Sequence, residues 1–98
     1  MFIVRDIFHL KFGHYKDAKV LFDEVKSKNM LPVTGEFRLL TDFTGHSYRL
    51  IMESGFNTLA DFEKSLGSSM NEEEWKKWYE KFKPLVESSH REILKRVD

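Results

Sequence analysis

The stretch from Glu36 to Ser54, EFRLLTDFTGHSYRLIMES, constrains the fold most, because two runs alternate between two faces on either side of a turn. Phe37, Leu39, Thr41 and Phe43 share one side of the first arm, and Tyr48, Leu50 and Met52 one side of the second. A four-residue loop, Thr44 to Ser47, sets Phe43 opposite Tyr48 and Leu39 opposite Met52 on the apolar side. The other side then pairs Arg38 with Glu53, Leu40 with Ile51 and Asp42 with Arg49. Opposite charges meet twice in this register. A two-residue turn at Thr44-Gly45 preserves both faces but breaks the charge pairs, so the longer loop is favoured. The second face is unusual in mixing Leu40 and Ile51 with four charges.

Ninety-eight residues make one domain, large enough for one core but not two. Hydrophobic residues at 41% and aromatic residues at 14% indicate a globular chain. Sixteen basic side chains balance sixteen acidic ones, so no net field draws the protein to phosphate or anionic lipid. Nucleic acid and membrane are therefore not expected partners. The absence of Cys removes disulfides, thiolate nucleophiles and sulfur-based zinc sites. The start MFIVRDIFHLK has no basic leader and meets charge by Arg5 and Asp6, which reads as neither a signal peptide nor a membrane span. The expected location is cytoplasmic.

Phe2 to Lys11 reads as a strand ended by Gly13, with Phe2, Val4, Phe8 and Leu10 on its core side and Asp6 the one polar intruder. Ile3 and Ile7 share the other side with Arg5, His9 and Lys11. From Tyr15 to about Lys28, apolar residues recur at helical spacing (Tyr15, Ala18, Leu21, Phe22, Val25), and Asn29, Pro32 and Gly35 end that helix and lead into the hairpin. After it, Thr58 and Asp61 resemble an acidic capping box for a short helix, Leu59 to Leu66, with a stripe of Leu59, Phe62 and Leu66. Asn71 caps a third helix carrying Trp75, Trp78, Tyr79 and Phe82 on one stripe, and Pro84 closes or kinks it. Ser88-Ser89 separates that helix from a final segment, His90 to Val97, which reads as an edge strand, with a terminal helix as the alternative.

Strand, helix, two strands, two helices and a strand make the α+β ferredoxin-like βαββαβ plan: an antiparallel sheet with helices on one face and no cover on the other. Ile3, Ile7, Leu40 and Ile51 then lie on the uncovered face, wet in a monomer. The chain resembles the dimeric α+β barrel proteins, the group of NIPSNAP-like and antibiotic-biosynthesis-monooxygenase-like domains. Three stretches carry the resemblance: a strand running into Lys11-Phe12-Gly13 before an amphipathic helix, ESGFNTLADFEKSL from Glu53 to Leu66, and FKPLVESSHREIL from Phe82 to Leu94. It implies a homodimer in which two sheets face each other as a dimeric α+β barrel. None of these stretches is a catalytic signature. NIPSNAP-like domains typically carry an Arg two residues before an aromatic in the first strand. Here Asp6 precedes Phe8, so no role of that Arg carries over.

The aromatic stripe could line a flat ligand, although helix-spaced aromatics pack cores more often. His9, His14, His46 and His90 show no metal-ligand spacing, so neither metal nor cofactor is expected. Related haem-degrading proteins of this fold use an Asn, Trp and His set, and the first strand has no Asn to supply it. No nucleophile triad, phosphate loop or paired-acid motif is present. The candidate ligand contacts are Arg5, Ile7, His9, Arg38, Leu40, Arg49 and Ile51, all on the uncovered face, where three Arg against Asp42 and Glu53 leave a slight cation excess. Arg49 is the expected anchor for an acidic or hydroxyl group, in a site between the helix layer and the partner's sheet. The leading expectation is a dimeric NIPSNAP-like protein that binds a small, partly apolar organic molecule. A cofactor-independent monooxygenase-like enzyme and an interaction module without a ligand are the alternatives.

Overall fold

The computed structural model describes residues 1–27, 37–45, 48–67 and 72–98. The chain runs β1 (Phe2–Leu10), α1 (Tyr15–Ser27), β2 (Phe37–Thr41), β3 (Arg49–Phe56), α2 (Leu59–Gly67), α3 (Glu72–Phe82), a 3₁₀ turn (Lys83–Leu85) and β4 (Val86–Lys95). The four strands form one antiparallel sheet in the order β2-β3-β1-β4, with β1 paired to both β3 and β4. This is the ferredoxin-like α+β arrangement.

The hairpin register is the one that the charge pairs favour. Arg38 lies opposite Glu53, Leu39 opposite Met52 and Leu40 opposite Ile51. The Arg49 guanidinium donates to both Asp42 oxygens, at 2.8–3.2 Å. Of the expected loop, His46 and Ser47 lie outside the described residues. Gly45 has φ +99°. Tyr48 takes a left-handed φ of 64°, unusual for a residue with a side chain. Its carbonyl accepts the Leu10 N–H at 2.8 Å, and its ring lies 5.0 Å from that of Phe12.

The α1 spacing buries Ala18, Phe22 and Val25 as expected. The 13-residue helix begins two residues after Gly13, whose φ of +85° provides the turn out of β1. The residues expected to stop α1, Asn29 and Pro32, lie outside the described residues, as do Gly35 and the Asn71 cap; so does the Leu66 side chain of the α2 stripe. Thr58 caps α2: its Oγ1 accepts the Asp61 N–H at 3.1 Å. The last strand begins earlier than the sequence suggests. Ser88 and Ser89 lie inside β4 rather than before it, paired with His9 and Phe8. Pro84 sits in the 3₁₀ turn that ends α3, and Val86 is already extended at φ −104° and ψ 130°.

Leu10, Ala18, Phe22, Val25, Leu50, Trp78 and Phe82 form the core between the sheet and helices α1 and α3, with Phe8, Leu39 and Met52 packed against it. The rings interlock. Phe22 meets Trp78 and Phe82 edge-on at 5.3 and 5.1 Å, and Phe8 meets Phe82 edge-on at 5.1 Å. Burying side chains of this size contributes about 1.5–3 kcal/mol each.

Candidate functional site

The open face of the sheet resolves into rows across the strands. Gly55, Ile3 and Leu94 form the first, and Arg38, Glu53, Arg5 and Glu92 the second. Leu40, Ile51, Ile7 and His90 form the third, and Arg49, His9 and Ser88 the fourth, which the Arg49–Asp42 pair extends. The mixture of apolar and charged residues on this face is thus sorted: a mainly apolar row lies between two charged ones.

Two expectations about this face need correction. Ile7, between Ile51 of β3 and His90 of β4, is only 4% exposed in the single chain, and Ile3 and Ile51 are half-buried. Leu40 at 41%, Leu94 at 40% and Met1 at 40%, whose side chain lies against Gly55, are apolar side chains that it leaves wet. The cation excess also disappears. Arg5 pairs with Glu53 at 2.9 Å and with Glu92 at 3.7 Å, so three guanidiniums face three carboxylates once Glu92 of β4 is counted. Arg49 is held by Asp42, and that hydrogen bond keeps its proton more firmly than is ordinary. The seven residues singled out from sequence do share one face, but its guanidiniums are answered within the chain.

A second place has the shape of a ligand site. A cavity of about 330 Å³ lies on the helix side of the sheet, between α3 and strands β1 and β4. Its wall is aromatic. Trp75 stacks on Trp78 at 5.1 Å and 12°, and Trp78 stacks in turn on Phe82 at 4.9 Å. The expected aromatic stripe is therefore split: Trp78 and Phe82 are buried, whereas Trp75 and Tyr79 are 36% and 46% exposed and line the cavity. Trp78 has its indole N–H committed to the Leu21 carbonyl at 2.7 Å, so it presents a ring face and no donor. The space exists because Ser89, opposite Phe8, is too small to fill it.

The polar element here is one ion pair. Arg91 Nε donates to Asp6 Oδ1 at 2.6 Å, with the Asp6 side chain 15% exposed and that of Arg91 45%. Arg91 also lies over the Phe62 ring at 5.4 Å. The bond to Asp6 uses Nε, and the two terminal nitrogens of Arg91 have no hydrogen-bond acceptor among the described residues. Sequence reasoning missed this pair, although Asp6 as the one charge on an apolar strand face was its signal. Its partner is 85 residues away.

Among known structures, a NIPSNAP family protein from Agrobacterium tumefaciens superposes with a TM-score of 0.83 at 22% identity, covering 100% of this chain and 95% of that one. The chain has the NIPSNAP fold. A NIPSNAP-like domain protein of uncharacterised function from Burkholderia xenovorans matches at 0.81 and 17% identity, over 98% and 84% of the two chains. An antibiotic biosynthesis monooxygenase matches at 0.72 and 12%, over the whole of both. The chain's sequence matches no protein-family model and no curated protein. Shared NIPSNAP architecture at these identities fixes the fold and leaves the chemistry to the site. No helix among the described residues is long and apolar enough to cross a membrane.

Proposed function

We propose that the protein binds a small planar organic molecule in the cavity between α3 and the sheet. The observation that carries this is the aromatic cavity with a single charged pair in its lining. Ligand pockets are mostly apolar, of about 300–1,000 Å³, with a few polar groups that set orientation. This one is at the small end, which suits a ligand of one to a few rings. The exposed faces of Trp75 and Tyr79 offer stacking, and the terminal nitrogens of Arg91 offer donors to a carboxylate or phenolate. The anchor is thus moved from Arg49, which Asp42 occupies, to Arg91. The cavity also favours this reading over an interaction module without a ligand.

The protein works, in this reading, as a homodimer of open sheet faces. A four-stranded face about 19 Å wide and about 30 Å long, from strand spacing and rise, offers roughly 570 Å² per subunit. That is below the usual figure of about 800 Å² per partner, so helices or termini would add to it. The rows suit a twofold partner, since three guanidiniums and three carboxylates carry no net charge to repel a second copy.

The test of the ligand is a titration of Trp fluorescence and melting temperature with aromatic carboxylates and phenols. Arg91→Met should weaken a bound carboxylate by about 1.5–3 kcal/mol, as for a charged hydrogen bond. Ser89→Leu should abolish binding by filling the cavity. Arg49→Met should change nothing. Binding that is lost in Arg49→Met but kept in Ser89→Leu would place the ligand on the open face instead. Oxygen uptake with each bound phenol tests for monooxygenase chemistry of the kind named for the third structural neighbour.

A further inference from the structure

His9 and His90 are 81 positions apart, yet the sheet brings them together. Ile7 pairs with His90 and His9 with Ser88, so the two histidines are diagonal neighbours on the open face of adjacent antiparallel strands. Their rings lie 5.7 Å apart, centroid to centroid, and 23° from parallel. We propose that His9 and His90 form a two-imidazole binding site for a borderline divalent cation of the late first-row series, Zn²⁺ or Cu²⁺, with water completing its coordination.

The spacing is the first support. Zinc takes imidazole nitrogens at about 2.0–2.1 Å, and with a tetrahedral angle between them this puts the two ring centroids about 5 Å apart. The rings are therefore within about 1 Å of the separation that a shared ion requires, and because they are stacked, 23° from parallel, binding requires the side chains to rotate so that a nitrogen of each turns toward the ion. Chemical class follows from the donors. Neutral imidazole nitrogen suits zinc, copper and nickel, whereas magnesium and calcium seek oxygen.

The second support is the rigidity of the two strands. β1 is hydrogen-bonded on both sides, so the His9 backbone is held in the centre of the sheet. β4 is tied to β1 by ion pairs on both faces, Arg91 with Asp6 behind and Glu92 with Arg5 beside. The ladder also has an irregularity at this place: His9 pairs with Ser88 but Leu10 with Val86, which leaves Glu87 as an extra residue on β4. Such bulges re-aim neighbouring side chains, but among the described residues no third His, Asp or Glu joins the two imidazoles as a ligand group, so the site is one of two protein donors.

Electrostatics does not oppose the ion. Arg49 is directly opposite His9 and would repel a cation, but both oxygens of Asp42 face its guanidinium. Arg5, one residue pair further along, lies between Glu53 and Glu92. The site rests on the β1–β4 register; His90 also borders the cavity on the other face, and the ion lies on the face proposed above for the homodimer.

The experiment uses the full chain without a histidine tag, titrated separately with Zn²⁺, Cu²⁺ and Mg²⁺ by calorimetry and by thermal unfolding. The expected result is saturable binding of one zinc or copper ion per chain and a raised melting temperature, since a ligand held by the native state alone stabilises it. Affinity should fall at least tenfold in His9→Gln and in His90→Gln, and be unchanged in His14→Gln and His46→Gln. His90 is exposed, so His90→Gln keeps the fold, as circular dichroism will verify. Ring nitrogen resonances of both His9 and His90 should shift on adding Zn²⁺. Undiminished zinc and copper binding in His90→Gln, loss in His14→Gln or His46→Gln instead, an equal response to Mg²⁺, or no binding at all would overturn the proposal.

Discussion

Replacing Trp78 by Ala separates a core role from a site role for the aromatic stripe. The indole is 5% exposed, stacks on Trp75 and Phe82, meets Phe22 edge-on and donates a hydrogen bond to Leu21. Deleting a buried aromatic of this size costs about 3–5 kcal/mol, a figure that already contains the lost ring contacts. Domains of this length have about 5–15 kcal/mol in total. At about 4–8 °C per kcal/mol, the melting temperature should fall by about 12–40 °C. Trp75 is the control. It lies on the outer side of the same stack and is 36% exposed, so Trp75→Ala should lose about 1 kcal/mol, as for one aromatic pair. Differential scanning calorimetry or thermal circular dichroism reads both. A Trp78→Ala protein melting within about 5 °C of wild type, which is about 1 kcal/mol, would refute the core assignment and make Trp78 a residue of the site alone.

Ile51→Glu places a charge in the central apolar row, and if the proposed homodimer forms through this face, sedimentation should report a dimer for the wild type and a monomer or aggregates for the variant; a variant that stays dimeric would exclude this face as the interface. Thr58→Ala removes the cap on α2 and should cost about 1 kcal/mol, read as a fall of about 4–8 °C in melting temperature. If Thr58→Ala melts with wild type, the bond to the Asp61 N–H contributes nothing.

The elements that were legible in the sequence are those whose pattern is local. The hairpin register followed from residues within about twenty positions of each other, because a wrong register would have broken both Arg38–Glu53 and Asp42–Arg49. The α1 stripe and the Thr58 cap were equally local. What was not legible depends on β4, where Ser88-Ser89 reads as a separator by composition and is strand by pairing with β1. Both features built on that pairing were therefore hidden: Ser89 leaves the cavity open opposite Phe8, and His90 arrives beside His9. The apparent cation excess has the same origin, since Glu92 joins the open face only through the β1–β4 register. Ile7 was expected to be wet because strand periodicity tells which face a residue is on and not how far its neighbours cover it.

The register of β4 raises a physical question of its own, since burial specifies it weakly. Of its ten residues only Val86 and Glu92 are half-buried, and the rest are exposed. A strand without a strong apolar face is prone to slip by one residue, which would exchange its two faces. Charge opposes this in both directions. In the native pairing Asp6 meets Arg91 and Arg5 meets Glu92. A slip one way sets Asp6 opposite Glu92, and a slip the other way sets Arg5 opposite Arg91, like charge against like in each case. Either error also gives up the Arg91 bond to Asp6 and the Arg5 pair with Glu92. The ion pairs on β4 thus matter less for their own stabilisation, which is small for exposed groups, than for excluding the alternatives. They keep Ser89 and Arg91 at the cavity and His90 on the open face, so that one polar edge strand serves both sides of the sheet.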